Sequence, residues 1–139
     1  QWFQPMDRKL GPASEFSVDG LDKLPRVDIL YAHANMSPDL IDAAVKNGAK
    51  GIVIAGVGDG NMTTPALEAA KKAAKAGVVV VRSTRLPMGL TLRNNEVNDD
   101  ELGFVASGEL NPPKSRVLLQ LALTKTSDVK RIQAMFYEY

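Results

Sequence analysis

The sequence predicts an α/β domain with a small open parallel sheet of about four strands and helices on both faces. Two short apolar runs, Gly51-Ile52-Val53-Ile54-Ala55 and Val78-Val79-Val80-Val81, have the unbroken character of strands buried on both sides. Segments with helix caps and helical apolar spacing alternate with them. Between the two runs lies the turn Gly56-Val57-Gly58-Asp59-Gly60-Asn61, followed by Thr63-Thr64-Pro65. A strand that empties into a glycine-rich turn before a helix is where α/β proteins place their ligands.

Each element has a local reason. Residues 1–25 hold Pro5, Gly11, Pro12, Gly20 and Pro25 with only isolated apolar anchors: Trp2, Phe3, Phe16, Val18, Leu21 and Leu24. That composition fits a linker packed at a few points, so residues 1–25 are expected to be a linker and the end of a preceding domain. The chain opens Gln1-Trp2-Phe3-Gln4-Pro5 without Met, as if inside a strand, and is expected to be one piece of a longer protein.

The domain proper is expected over residues 26–139. Val27-Asp28-Ile29-Leu30-Tyr31 is a compact strand. Ser37-Pro38-Asp39 combines an N-cap, a first-turn proline and an acid suited to the positive helix end. That helix runs to Asn47-Gly48, with Leu40, Ile41, Ala44 and Val45 on one face. The second helix begins at Thr64-Pro65 and ends near Gly77; alanines at 66, 69, 70, 73 and 74 allow close approach to a sheet. A third strand over 78–81 leads into a polar loop from Arg82 to about Leu102. Gly103-Phe104-Val105-Ala106 is a short fourth strand. Asn111-Pro112 caps a helix with Val117, Leu118, Leu121 and Ala122, and Ser127-Asp128 caps a last one with Val129, Ile132, Gln133 and Phe136. The order β-α-β-α-β-loop-β-α-α suggests a flavodoxin-like sheet. Right-handed crossovers bring Asn35, the turn 56–61 and the loop from Arg82 to one sheet edge.

Composition narrows the functions. The 139 residues suffice for one domain with a core. A net charge of +1, with scattered lysines, indicates no nucleic-acid partner. The absence of cysteine excludes thiol catalysis and thiolate metal sites. No apolar run approaches the roughly 20 residues of a membrane span. No His/Asp/Glu spacing points to a metal, and no cofactor is expected.

The turn 56–61 fails the dinucleotide pattern. G-x-G-x-x-G needs a third glycine where Asn61 stands, and Val81 is followed by Arg82 rather than an acid. By spacing alone, glycines that only make a tight turn fit equally well. Asn61 both donates and accepts, which suits a small zwitterion better than a phosphate. Arg82-Ser83-Thr84-Arg85 offers either anion capture or pairing with nearby acids or a neighbouring subunit. Within 93–101, Asp99-Asp100-Glu101 suits the start of a short helical turn on a solvated loop. Glu96 stands apart from that cluster, and its carboxylate suits an ammonium group. His33 is read as a loop histidine, and Tyr31 either lines the ligand edge or closes the core. Ser83, Thr84, Thr63 and Thr64 have no recognisable activating base.

The whole chain resembles the C-terminal domain of bacterial type II L-asparaginases, including the glutaminase-asparaginases. The carriers are Leu24-Pro25-Arg26-Val27-Asp28-Ile29-Leu30-Tyr31, the run from Lys50 to Asn61, and Val81-Arg82-Ser83-Thr84-Arg85. They continue in Gly103-Phe104-Val105-Ala106-Ser107-Gly108, Leu110-Asn111-Pro112, Lys114-Ser115-Arg116-Val117-Leu118-Leu119 and Leu121-Ala122-Leu123-Thr124-Lys125-Thr126. The resemblance implies hydrolysis of L-asparagine, or L-glutamine, to the acid and ammonia. It also implies a homotetramer of intimate dimers, with each active site completed by the neighbour's C-terminal domain, and a periplasmic or secreted location. The family's substrate-binding asparagine and glutamate fall on Asn61 and Glu96, which in the family reach the substrate's α-amino end. Asp59 departs from several members, which carry Asn there. The family's nucleophilic threonine lies in a T-G-G-T motif of the N-terminal domain. Neither T-G-G-T nor H-G-T-D occurs in this sequence, so no catalytic residue is assigned here. A non-catalytic α/β ligand-binding or dimerisation module is the alternative.

Overall fold

The computed structural model describes residue 9 and residues 11–139, so Trp2, Phe3 and Pro5 lie outside the described residues. The element order is β1 (Val27–Tyr31), α1 (Asp39–Lys46), β2 (Gly51–Gly56), α2 (Thr64–Lys75) and β3 (Val79–Thr84), followed by α3 (Asp99–Leu102), β4 (Phe104–Ala106), α4 (Pro112–Ala122) and α5 (Val129–Glu138). The strands form one parallel four-stranded sheet in the order β1-β2-β3-β4.

Side chains alternate across this sheet with period two. Ile52, Ile54, Val80 and Phe104 face the layer made by α1 and α2. Val27, Val53, Val79, Val81 and Val105 face α4 and α5, where Leu118, Leu119, Ile132 and Phe136 cover them. Both faces are therefore covered, which is why the central strands carry unbroken apolar runs instead of alternating with polar residues. The sheet advances in one direction, so right-handed crossovers put α1 and α2 on the same face. This corrects the flavodoxin-like expectation, because a flavodoxin-like sheet reverses direction at a switch point and this one does not. The second face is filled by α4 and α5, which follow the last strand.

Side chains also finish the sheet's two edges. The buried Gln133 brackets β4: its Oε1 accepts from the Ala106 N–H at 2.8 Å and its Nε2 donates to the Ala106 carbonyl at 3.1 Å. At the opposite edge, Arg116 donates to the Val27 carbonyl at 2.8 Å and Gln120 to the Pro25 carbonyl at 3.1 Å. Helix starts follow the sequence at Thr64, Asn111 and Asp128; the caps are Thr63, Asn111 and Asp128, whose side chains accept from the Ala66, Lys114 and Arg131 amides. The first helix differs. Pro38 occupies its N-cap, and the Ser37 hydroxyl accepts only from Asp39 N at 3.4 Å.

The segment before β1 packs against the chain's C-terminus. Phe16 packs against Tyr139 in a tilted pair with ring centroids 4.8 Å apart, and the Tyr139 hydroxyl accepts from Glu15 N at 3.0 Å. Arg131 bridges Glu15 and Glu138, and Lys9 adds a bond to Glu138 at 3.0 Å. Val18, Leu21 and Leu24 stay exposed, leaving Phe16 as the described apolar anchor. The bonds from Arg131 and then Lys9 hold the Glu138 carboxyl below its usual 4.5. A depressed folded pKa means that this contribution to stability is fully present above about pH 4.5 and fades as pH falls. In denaturation measured across pH, Glu138→Gln should be less stable than the wild type at pH 7. The gap should close as pH drops below about 4.5.

Candidate functional site

The turn leaving β2 is closed by two reciprocal backbone bonds, Val57 N to Asn61 O and Asn61 N to Val57 O, each 2.8 Å. The chain between them folds back so tightly that a Cβ on Gly56 would lie 2.3 Å from the Gly60 carbonyl carbon. Gly60 has φ +81°, a region that side chains disfavour, and the Arg82 and Thr91 side chains close over it. The glycines thus make the tight turn, and Asn61 sits where the chain leaves it.

Beneath this turn lies an ion pair. Arg82 and Asp99 are 1% and 0% exposed. Arg82 Nε donates to Asp99 Oδ1 at 2.6 Å and Nη2 to Oδ2 at 2.8 Å, a two-pronged arrangement that matches the planar guanidinium to the carboxylate. The same guanidinium donates to the Asp59 carbonyl at 2.7 Å and the Leu92 carbonyl at 3.0 Å. Asp99 also accepts from Asn94 N at 2.8 Å. The turn after β2, the loop after β3 and the start of α3 therefore meet at one buried charge pair.

This pair corrects two expectations. The third strand does not end at Val81 but continues through Thr84, in register with Ile54, Ala55 and Gly56. Its polar residues can stay buried because they have partners: Arg82 has Asp99, and Ser83 donates to the Leu110 carbonyl at 2.9 Å. Asp99 is likewise no part of a solvated acidic face. Of the two alternatives for the arginines, Arg82 takes the pairing with an acid. Arg85 donates to the Ala32 carbonyl at 2.9 Å and lies 5.8 Å over the Tyr31 ring. Tyr31 is 58% exposed and lines the edge rather than closing the core. His33 sits exposed in the loop after β1, its Nδ1 2.8 Å from the Ala34 carbonyl.

The loop over 91–100 is organised by side chains. Thr91 and Gly108 exchange backbone bonds at 3.0 and 3.2 Å, pinning its start to the exit of β4. Asp100 accepts from Asn94 Nδ2 at 2.7 Å and pairs with Arg93, and these contacts, led by Asn94, hold its carboxyl below the usual range. Asp59 reaches across from the turn. Its Oδ1 accepts from Leu92 N and its Oδ2 from Asn95 Nδ2, both at 2.6 Å. Sequence reading noted Asp59 only as a departure and missed this bridge; its partners are 33 and 36 residues away along the chain.

Asn61 and Glu96 thus emerge from neighbouring, cross-linked loops at the C-terminal edge of the sheet. Asn61 is half-buried and Glu96 is exposed. Neither side chain hydrogen-bonds to another described residue, and the two are not bonded to each other. The arrangement offers one amide and one carboxylate free to meet a ligand. Among the described residues no three His, Cys, Asp or Glu side chains gather as a metal site would require, and no helix is long and apolar enough to cross a membrane.

The family model of the glutaminase/asparaginase C-terminal domain matches residues 26–136. The chain belongs to the glutaminase/asparaginase family. Its domain is 53% identical over 124 residues to the probable periplasmic L-asparaginase of Haemophilus influenzae, covering 89% of this chain and 36% of the relative. It is 49% identical over 132 residues to L-asparaginase 2 of Escherichia coli, covering 95% and 38%. A glutaminase-asparaginase of Acinetobacter glutaminasificans is 43% identical over 141 residues, covering 99% and 43%. The chain therefore spans well under half the length of the curated relatives it matches.

The buried pair makes a direct prediction for this domain. Asp99→Ala leaves a buried guanidinium without its counter-charge and should cost about 3–5 kcal/mol in urea unfolding. The neighbouring exposed acid is the control: Asp100→Ala should shift the urea midpoint far less than Asp99→Ala, because its pairs are screened by water.

Proposed function

We propose that this domain completes the substrate site of an L-asparaginase, an amidohydrolase that converts L-asparagine and water to L-aspartate and ammonia. L-Glutamine is the second substrate to test, given the glutaminase-asparaginase names among the relatives. The observation that carries the proposal is the pair of unengaged polar side chains, Asn61 and Glu96, on cross-linked loops of a chain in this family. An amino-acid substrate presents an ammonium and a carboxylate at one end. Glu96 supplies a carboxylate for a charge-assisted bond to the ammonium. The Asn61 amide supplies an acceptor for the same group and a donor for the carboxylate.

In this proposal the domain holds and orients the amino end, so that the side-chain amide is presented to a threonine nucleophile carried by an N-terminal domain. The site is shared between subunits of a homotetramer, this domain serving its neighbour. The proposed location is periplasmic or secreted, supported by the periplasmic name of the H. influenzae relative.

The experiment is ammonia release by the longer enzyme that carries this domain, with asparagine and glutamine as substrates. Glu96→Ala removes a charged hydrogen-bond partner and should lower kcat/KM by roughly 10–150-fold. An unchanged kcat/KM takes Glu96 out of the site. The 139 residues alone should not turn over. Calorimetry in which a nucleotide binds, and asparagine and aspartate do not, would favour a non-catalytic binding module instead.

A further inference from the structure

We propose that Asp59 is a positioning residue: its carboxylate holds the loop bearing Glu96 in register with the turn bearing Asn61, and so sets the geometry of the amino-end site. This rests on the amidohydrolase reading above and assigns a role within that site to a residue that does not touch substrate.

Three features of the structure point to it. First, Asp59 is held from both ends. Its main-chain carbonyl accepts from the buried Arg82, while its carboxylate reaches outward to Leu92 N and Asn95 Nδ2. The residue is therefore a rigid arm fixed to the core. Second, the bond from Asn95 Nδ2 to Asp59 is the only side-chain hydrogen bond to residues 95–97 among the described residues. The loop's base has other attachments, through Arg82 to the Leu92 carbonyl and through Asp99 to Asn94 N. The tip that carries Glu96 has this one. Third, the spacing is direct: Asp59 lies two residues before Asn61, and Asn95 immediately precedes Glu96. One carboxylate thus couples the two proposed ligand groups, though they share no bond of their own.

The physical consequence is a population effect. Without the Asp59 carboxylate the tip samples more conformations, and the apparent affinity falls by the fraction of time the loop spends in its binding geometry. Asp59 is half-buried and sits outside the core, so its loss should disturb the site far more than the fold. The charge itself is not required. Asn at this position keeps an acceptor for Leu92 N, and the Asn95 amide can turn its oxygen toward the new N–H.

The test uses the longer enzyme that carries this chain, with hydrolysis of asparagine and amide hydrogen exchange read on the same variants. Asp59→Ala should raise KM by roughly 3–30-fold with a smaller change in kcat, because the lost contact bears on binding geometry. Asn95→Ala should do the same in part, and Asp59→Asn should stay within about threefold of the wild type. In a Glu96→Ala background, Asp59→Ala should add less than about twofold, since it acts through a side chain already removed. The Leu92 amide should exchange faster in Asp59→Ala than in the wild type. Undiminished, additive effects in the double variant would overturn the coupling to Glu96. A Leu92 amide equally protected in Asp59→Ala would overturn the brace whatever the kinetics. A folded wild-type enzyme that releases no ammonia would instead overturn the amidohydrolase reading and the kinetic role with it. The exchange measurement would still decide whether Asp59 holds the loop.

Discussion

The turn that carries Asn61 and the loop that carries Glu96 both depend on one buried ion pair, Arg82 with Asp99. Two charges taken out of water are costly unless their hydrogen-bonding capacity is filled. Here the guanidinium bonds to both oxygens of Asp99 and to the Asp59 and Leu92 carbonyls, and Asp99 takes a further bond from Asn94 N. Between them these bonds reach three segments. The requirement that a buried charge be satisfied therefore becomes a requirement that the turn after β2, the loop after β3 and the start of α3 occupy fixed relative positions. Such an arrangement is specific in a way that apolar contact is not, because a shifted segment would strand a buried donor or acceptor.

Outward from that pair, constraint decreases in steps. The sheet and its two apolar layers hold β3, which holds Arg82. Arg82 holds the Asp59 carbonyl and the loop's base. The Asp59 carboxylate then holds the loop's tip, and beyond it Asn61 and Glu96 are left unengaged. This gradient suits the proposed site: Asn61 and Glu96 stay unengaged beside Arg82, Asp99 and Asp59, whose polar groups are hydrogen-bonded. Elsewhere on the surface, Arg131, Glu138 and Lys9 tie the segment before β1 to α5. There, screening by water makes the bonds weaker and responsive to pH.

Elements governed by local rules were legible in the sequence. The apolar runs of β2 and β3, the start of α2 at Thr64, the caps at Asn111 and Asp128, and the short helical turn at Asp99 stand where residue type and spacing put them. Where a buried polar residue decided the outcome, reading by hydropathy failed. Val81-Arg82 looks like a strand meeting solvent, yet β3 runs on through Thr84, because Asp99, 17 residues further along, makes Arg82 tolerable inside. Asp99 and Asp100 are chemically alike neighbours, and only their surroundings separate a core residue from a surface one. Gln133 fits a helix face by spacing, but its bracketing of Ala106 depends on α5 lying beside β4.

From the amino-acid order alone follow the α/β class, the placement of strands and helices, and the choice of Asn61 and Glu96 as side chains suited to a zwitterion. These are statements about residue types and near neighbours, where periodicity, capping and donor–acceptor chemistry act. The sequential strand order, the burial of Arg82 with Asp99 and the bridging role of Asp59 belong to the folded chain. Each joins groups distant along the chain, and a carboxylate's environment, rather than its identity, determines whether it pairs, braces or stays free for a ligand.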